Sequence, residues 1–208
     1  MEIDQLLSQF RNKKVLITGH TGFKGSWLSI WLNFLGADVI GIALDPKTDR
    51  DNYNISGVSK LVKDYRFDIR DRKRLFEVFE IEKPEILFHL AAQPLVLESY
   101  QTPLDTFEIN AQGTANIMEA VRISKTIHTV VIITTDKVYE NKEWIWPYRE
   151  TESLGGYDPY SASKGAAELI VACYRNSFFN PSDFKTHGKS VASARAGNVI
   201  GGGDWAAN

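Results

Sequence analysis

Apolar residues in this chain fall into two alternating arrangements. Short runs rich in β-branched residues stand at Lys14–Thr18, 39–44, 62–67, 86–90, 130–133 and 191–196. Each has the length of a strand, and most are apolar throughout, as strands buried on both faces are. Between them lie stretches with helical spacing. Over 26–35, Trp27, Leu28, Ile30, Trp31, Phe34 and Leu35 make an apolar face that Gly36 ends. Helices are also predicted over 70–80, with Pro84 at the exit, over most of 104–124, and over 160–179. Strand followed by helix, repeated, predicts an α/β fold in which a doubly wound parallel sheet is covered on both faces by right-handed crossovers. Ligands of such sheets sit at the carboxyl ends of the strands.

Length and composition narrow the picture. The 208 residues suit one large domain or two small ones. Twenty-four basic against 26 acidic residues leave a net charge of -2, with no basic stripe to bind nucleic acid or a membrane surface. No apolar run is long enough to span a bilayer, and the first fourteen residues lack a secretory pattern. The single cysteine, Cys173, excludes an internal disulfide, fits a reducing cytoplasm and is expected in the core of its helix. One cysteine and 4 scattered histidines argue against a metal site.

The first strand runs into Gly19-His20-Thr21-Gly22-Phe23-Lys24-Gly25, a G-x-x-G-x-x-G variant of the dinucleotide fingerprint in a strand–turn–helix context. Gly19 permits the tight turn, Gly22 the approach of backbone to a pyrophosphate, and Gly25 close packing of helix on strand. The helix amino terminus offers N–H groups and partial positive charge to the anion. The fold expected is therefore Rossmann-type. Asp45, at the end of the second strand, suits the ribose hydroxyls and disfavours a 2′-phosphate, which points to NAD. It also suits a turn before Pro46, and Asp49 and Asp51 compete for the role. Asp68 is placed to face the adenine or to cap the next helix. His20 is expected to contribute backbone to the loop, and His89 to be structural.

Tyr160 and Lys164 form Y-x-x-x-K at the start of a helix, on one face. The lysine charge, expected beside the phenol, and the positive nicotinamide ring would together lower its pKa so that it can take a proton from a sugar hydroxyl. Thr135, ending the fifth strand, would bring a hydroxyl to the same place. Trp144-Ile145-Trp146-Pro147-Tyr148 reads equally as a lid or as a loop packed on the domain.

The glycine loop, Thr135, Tyr160 and Lys164 together resemble the extended short-chain dehydrogenase/reductase superfamily over essentially the whole chain. So do Asp68-Ile69-Arg70-Asp71, His89-Leu90-Ala91-Ala92-Gln93, Asn110 with Gly113-Thr114, and Arg195-Ala196-Gly197-Asn198-Val199. The resemblance implies that NAD is lined by Gly19, Thr21, Gly22, Phe23, Lys24, Gly25, Asp45, Asp68, Ile69, Leu90, Ala91, Ala92, Thr134, Tyr160 and Lys164. It also implies that Gln93 and Asn198 lie near a nucleotide-sugar substrate.

Thr134-Thr135-Asp136-Lys137-Val138-Tyr139 is similar to the Thr-Asp-Glu segment of sugar-nucleotide 4,6-dehydratases, with Lys137 in place of the glutamate. That departure, and the runs 18–28, 136–141, 155–161 and 195–205, resemble the CDP-glucose 4,6-dehydratases in particular. The implied chemistry is oxidation at C4 with Tyr160 as base, loss of water across C5 and C6 with Asp136 as acid, and hydride return to C6. Its place would be deoxysugar biosynthesis for lipopolysaccharide. Asp136 would need burial or substrate to keep its proton. Lys137 is either a neutralised base or a cation that stabilises the enolate. A sugar-nucleotide epimerase is an alternative against which Asp136 argues. The resemblance further implies a homodimer through the helices near 104–124 and 160–179. Family members are longer, so the part that grips the nucleotide is expected to be missing, and a cofactor-binding fragment without turnover is the second reading.

Overall fold

The computed structural model describes residues 3–205. Six strands, β1 (Lys14–Thr18), β2 (Asp38–Ala43), β3 (Lys63–Arg66), β4 (Ile86–His89), β5 (Thr129–Thr135) and β6 (Ser190–Ala196), form one sheet. Its order is β3-β2-β1-β4-β5-β6, and every pairing is parallel. The order reverses between β1 and β4, which opens a crevice above their carboxyl ends.

The helices are α1 (Ile3–Phe10), α2 (Phe23–Phe34), α3 (Asn52–Ile55), α4 (Arg72–Glu82), α5 (Val96–Gln101), α6 (Pro103–Phe107), α7 (Gly113–Ile123), α8 (Pro159–Phe178) and α9 (Phe184–His187). The strands and longer helices lie where the apolar pattern puts them, with ends displaced by a few residues. The short helices α3, α5 and α9 carry too few residues for a periodic signal.

Because strand side chains alternate between faces, the core has two layers. Leu16, Ile40, Ile42, Leu87, Val130 and Ile132 meet α4, α7 and α8 through Leu75, Phe79, Ile117, Met118 and Val171. On the opposite face Val15, Ile17, Val39 and Ile86 meet Leu32 of α2. Full burial of side chains such as Leu87 and Ile117 contributes roughly 1.5–3 kcal/mol apiece.

Three features depart from the sequence pattern. The face of α2 turned to the sheet is Gly25, Ser26, Ser29 and Leu32, whereas Trp27, Trp31 and Phe34 of the expected apolar face point outward. Small residues let this helix approach β1 closely. The buried serines donate to the carbonyls of Gly22 and Gly25, at 2.9 and 2.8 Å, so they cost little inside. The second is in the predicted 104–124 helix, which is interrupted by a π-helical turn at Glu108–Gln112. Cys173, expected in the core, is exposed on the outer face of α8.

Candidate active site

The phosphate loop leaves β1 at Gly19, whose φ of +78° suits glycine and whose missing side chain matters as much. A Cβ there would lie 2.7 Å from the Ala91 nitrogen. One at Gly25 would lie 2.1 Å from the Gly19 carbonyl oxygen, so α2 abuts the turn. Thr21 donates its hydroxyl to the Leu44 carbonyl at 2.9 Å, fastening the loop to the end of β2. No side chain caps the start of α2 at Gly22, leaving its first N–H groups for a ligand. Phe23 and Lys24 occupy the first turn.

His20 does more than lend backbone. Its ring is buried under Gly41, touches the edge of Tyr53, and pairs with Asp64 at 2.9 Å. Burial holds its pKa below the usual value against the pull of Asp64. It is a floor beneath the loop.

Of the ribose candidates, Asp45 stands exposed beyond β2, 3.8 Å from Arg66. Asp51 instead accepts from the backbone of Lys47 at 2.7 Å and closes a turn. Asp68 ion-pairs with Arg70 at 2.8 Å, and the helix cap expected of it belongs to Asp71, which accepts from Arg74 N at 3.1 Å. Ile69 is buried against Gly113, and its carbonyl accepts from Asn116.

At β4, Leu90, Ala91 and Ala92 are half-buried beside Gly19. His89 is fully buried between Thr18, at 2.6 Å, and Thr114, at 3.3 Å. Burial, and then the Lys164 charge, lower its pKa to about 3, so it is a neutral strut. Gln93, expected to face substrate, has its amide committed inside: it bonds Leu95 O, Leu95 N and Thr106 Oγ1. Asn110, in the π-helical turn, joins this loop to α8. It exchanges bonds with the Gln93 backbone and donates to Ser163 Oγ at 2.8 Å.

α8 opens with a firm cap. Asp158 accepts from the Ser161 nitrogen at 2.9 Å and hydroxyl at 2.6 Å, with Pro159 following it. Tyr160 therefore sits in the first turn, buried, with its phenol under the influence of the Thr135 side chain. The protein's own groups do not lower its pKa without the nicotinamide ring that the expectation included. Burial raises it, the Thr135 hydroxyl opposes that, and the Asp136 and Asp158 charges raise it further. Lys164 turns elsewhere, donating to the Ile133 carbonyl at 3.2 Å. Burial and the Lys24 charge hold Lys164 at about 8, and Glu168 works against both.

Thr135 accepts from Lys137 N at 3.3 Å and donates to Asp136 at 3.1 Å, which starts a single 3₁₀ turn at Asp136–Val138. Asp136 and Lys137 are both exposed on it, so the burial expected around Asp136 is not supplied by the described residues. Thr134 is buried and gives its hydroxyl to Glu168. Asn198 is exposed beyond β6. There the chain crosses the carboxyl ends of the strands. Gly197 lies near Asp136, Gly201 against Phe23, Gly202 accepts from Trp27 at 2.9 Å, and Trp205 donates to Arg50 O at 2.7 Å. Glu168 is the site-adjacent residue that motif reading passed over, and Arg195, quoted there only as part of a matching run, had no role assigned. The spacing of Glu168, four residues after Lys164, was the available signal.

The loop after the 3₁₀ turn is built on aromatic contacts. Tyr148 stacks on Tyr139, with ring centroids 5.2 Å apart, and Trp144 leans on Tyr148, while Ile145 and Trp146 are exposed. Among the described residues no three His, Cys, Asp or Glu side chains gather as a metal would require, and no helix is long and apolar enough to cross a membrane.

A glycine cradle at the switch point of a parallel sheet, with a tyrosine–lysine helix facing it, defines a Rossmann-type, short-chain dehydrogenase/reductase-like protein. The family model described as GDP-mannose 4,6 dehydratase matches residues 16–182, and the chain belongs to that family. It is 53% identical, over 95% of its length, to a CDP-glucose 4,6-dehydratase of Salmonella typhimurium, of which it spans 55%. A CDP-paratose 2-epimerase of Salmonella typhi is 33% identical over 79% of the chain and 54% of that protein. The solved UDP-glucose 4-epimerase of Thermus thermophilus in complex with NAD superposes with a TM-score of 0.73 at 28% identity, covering 88% of this chain and 54% of that one. The chain thus spans about half the length of the curated relatives it matches.

Proposed function

We propose that this chain carries the cofactor and proton-transfer machinery of a CDP-glucose 4,6-dehydratase, converting CDP-glucose to CDP-4-keto-6-deoxyglucose and water. The observation that carries the reading is the Thr135–Lys137 turn. It carries an acid residue and a lysine, and both Thr135 and Asp136 act on the Tyr160 phenol. An epimerase has no use for Asp136, because no water is lost.

The residues fit a dinucleotide. A Cβ at Gly19 or Gly25 would strike backbone, so these glycines let the turn and α2 close up tightly, and the uncapped start of α2 offers its N–H groups to a pyrophosphate. Gly19, Thr21, Gly22, Phe23, Lys24 and Gly25 would hold the phosphates, Asp45 the adenosine ribose, Asp68 and Ile69 the adenine side, and Leu90, Ala91, Ala92, Thr134, Tyr160 and Lys164 the nicotinamide half. NAD bound there supplies a hydride acceptor for C4 that gives the hydride back at C6.

The protein moves the protons. Tyr160 takes the proton of the 4-hydroxyl, with Thr135 orienting that oxygen. Burial of Tyr160 and its acidic neighbours oppose the phenolate, so positive charge has to be brought close, from Lys164 and from the cofactor ring. Oxidation at C4 acidifies the C5 proton, which a base takes up as water leaves and returns to C5 when hydride is restored at C6. Asp136 protonates the leaving 6-hydroxyl, which departs as water. Lys137, exposed on the same turn, serves as a cation that stabilises charge developing on O4. Asn198, exposed where the chain leaves β6, faces the diphosphate of the nucleotide sugar.

The protein works as a cytoplasmic homodimer in deoxysugar synthesis for lipopolysaccharide. The pairing face is supported by Leu97, Tyr100, Leu104 and Leu169, four large apolar residues exposed on α5, α6 and α8.

Incubation with CDP-glucose and NAD tests the reading. A 4-keto-6-deoxy product that disappears in Tyr160→Phe supports it. No product, with saturable NAD binding that is lost in Gly22→Asp, supports the second reading, a cofactor-binding unit without turnover.

A further inference from the structure

Tyr160, Lys164 and Glu168 follow one another at four-residue intervals, so they line a single face of α8. The third has no part in the proton transfers above, yet it is among the most heavily bonded side chains in the chain. Glu168 is 4% exposed. It accepts from the Thr134 hydroxyl, from Ser193 at 2.9 Å, and from Arg195 through two nitrogens at 3.1 and 3.0 Å. A buried carboxylate is costly unless each lone pair is met, and here the partners come from β5 and β6 together.

Arg195 then reaches on. Its remaining terminal nitrogen donates to the Tyr139 hydroxyl and to the Glu150 carbonyl, each at 2.9 Å, and its guanidinium lies 5.0 Å from the centre of the Tyr139 ring. Thr134 and Tyr139 flank the segment 135–138. One ion pair therefore grips the chain on both sides of the turn that carries Asp136 and Lys137. The same pair ties down the far end of the aromatic loop at Glu150.

We propose that Glu168 and Arg195 are positioning residues that fix the Thr135–Lys137 turn and the 139–150 loop against the Tyr160 face of α8. The proposal rests on the dehydratase reading for its catalytic consequence and on the bonding alone for its structural one. Fixing the turn matters because acid and base groups must be held within hydrogen-bond reach of the atoms they serve, and a displacement of about 1 Å costs on the order of 100-fold in rate. Glu168 has a second effect through its charge. Among the groups acting on Lys164, Lys24 on α2 lowers its proton affinity, and the carboxylate of Glu168 supports it. Neighbouring His89 on β4 is neutral.

The experiment uses the full-length protein with Glu168→Gln, Arg195→Ala and the milder Tyr139→Phe, which removes only the hydroxyl. Limited trypsin digestion reads the loop at Lys142 and Arg149 without reference to activity. Cleavage at least 10-fold faster in Arg195→Ala is expected, with no change in a control, Arg122→Ala. In the turnover assay, kcat is expected to fall 10- to 100-fold in Arg195→Ala and Glu168→Gln, with KM for the nucleotide sugar and NAD affinity changed less than about 3-fold. The alkaline limb of the kcat profile is expected to move to lower pH in Glu168→Gln and not in Arg195→Ala, a split that mere loosening would not give. Unchanged trypsin sensitivity in Arg195→Ala overturns the proposal. So does an undiminished kcat in an active wild-type background. Wild-type protein without product, alongside accelerated cleavage in Arg195→Ala, overturns the dehydratase reading and leaves the positioning role standing.

Discussion

Gly25 packs so tightly on Gly19 that a β-carbon at position 25 would fall 2.1 Å from the Gly19 carbonyl oxygen. Gly22, three residues earlier, has only ordinary contact at the same oxygen, 3.4 Å. The two glycines are thus required for different reasons. Gly25→Ala forces backbone to move and is expected to destabilise the fold by about 1–3 kcal/mol or more. Gly22→Ala is expected to fold with a nearly unchanged melting temperature and to bind NAD at least 10-fold more weakly, because its methyl occupies the approach to the helix terminus. Thermal denaturation and NAD titration of both variants separate the two outcomes, and equal melting temperatures would contradict the packing argument.

His89 ties stability to pH. Its folded pKa is depressed to about 3, by burial and then by the Lys164 charge, from an ordinary value of 6.5. Between those values the unfolded chain binds a proton that the folded one refuses. Stability is therefore expected to decline as pH falls below about 6.5, by roughly 1.4 kcal/mol per pH unit for such a group. His20, lowered in the same direction, adds to the decline. Urea denaturation at a series of pH values above the carboxylate range measures it, and a flat profile there is incompatible with two buried neutral imidazoles.

Tyr160 is expected to remain a phenol well into the alkaline range in the cofactor-free protein. Its burial and the charges of Asp136 and Asp158 outweigh the opposing pull of Thr135. An ultraviolet titration difference between wild type and Tyr160→Phe reports it directly. Bound NAD, bringing a positive ring, is expected to shift that transition downward. A phenolate already present at neutral pH without cofactor would reverse this account.

Asp158→Ala removes both bonds that cap α8 at Ser161. A loss of about 1 kcal/mol is expected. Because Tyr160 lies in the same turn, activity should fall further than stability alone explains. Asp158→Asn, which keeps an accepting oxygen, should restore most of both.

Much of this molecule can be read from residue order. Strand positions follow from apolar runs because parallel strands are buried on both faces, and the glycine loop follows from a spacing that few other structures demand. What escapes is what long-range packing decides. Helical periodicity assigns Trp27, Trp31 and Phe34 to the core because they are large and apolar. The sheet instead takes Ser26 and Ser29, whose hydroxyls find carbonyls on their own helix. Spacing places Lys164 beside Tyr160, but the ammonium goes to a strand carbonyl and the phenol is left among carboxylates. Gln93 has the right neighbours for a substrate contact, yet its amide is consumed by Leu95 and Thr106. Glu168 lies in no quoted motif and Arg195 in one 27 residues further on; only the fold makes them a pair.

The π-helical turn at Glu108–Gln112 has a consequence for mutability. It adds a residue's worth of rotation between α6 and α7, so the two segments are out of phase with one another. On one side the added residue aims Asn110 at Gln93 and Ser163; on the other it aims Ile117, Met118 and Val121 at the sheet. Deleting one residue here would relax the backbone to an ordinary α-helix and turn one segment by about 100° against the other. Either the core or the Asn110 bridge would then lose its partners. The irregularity allows a single continuous helix to satisfy two independent angular demands, and the helix tolerates point substitution at its surface far better than any change in length.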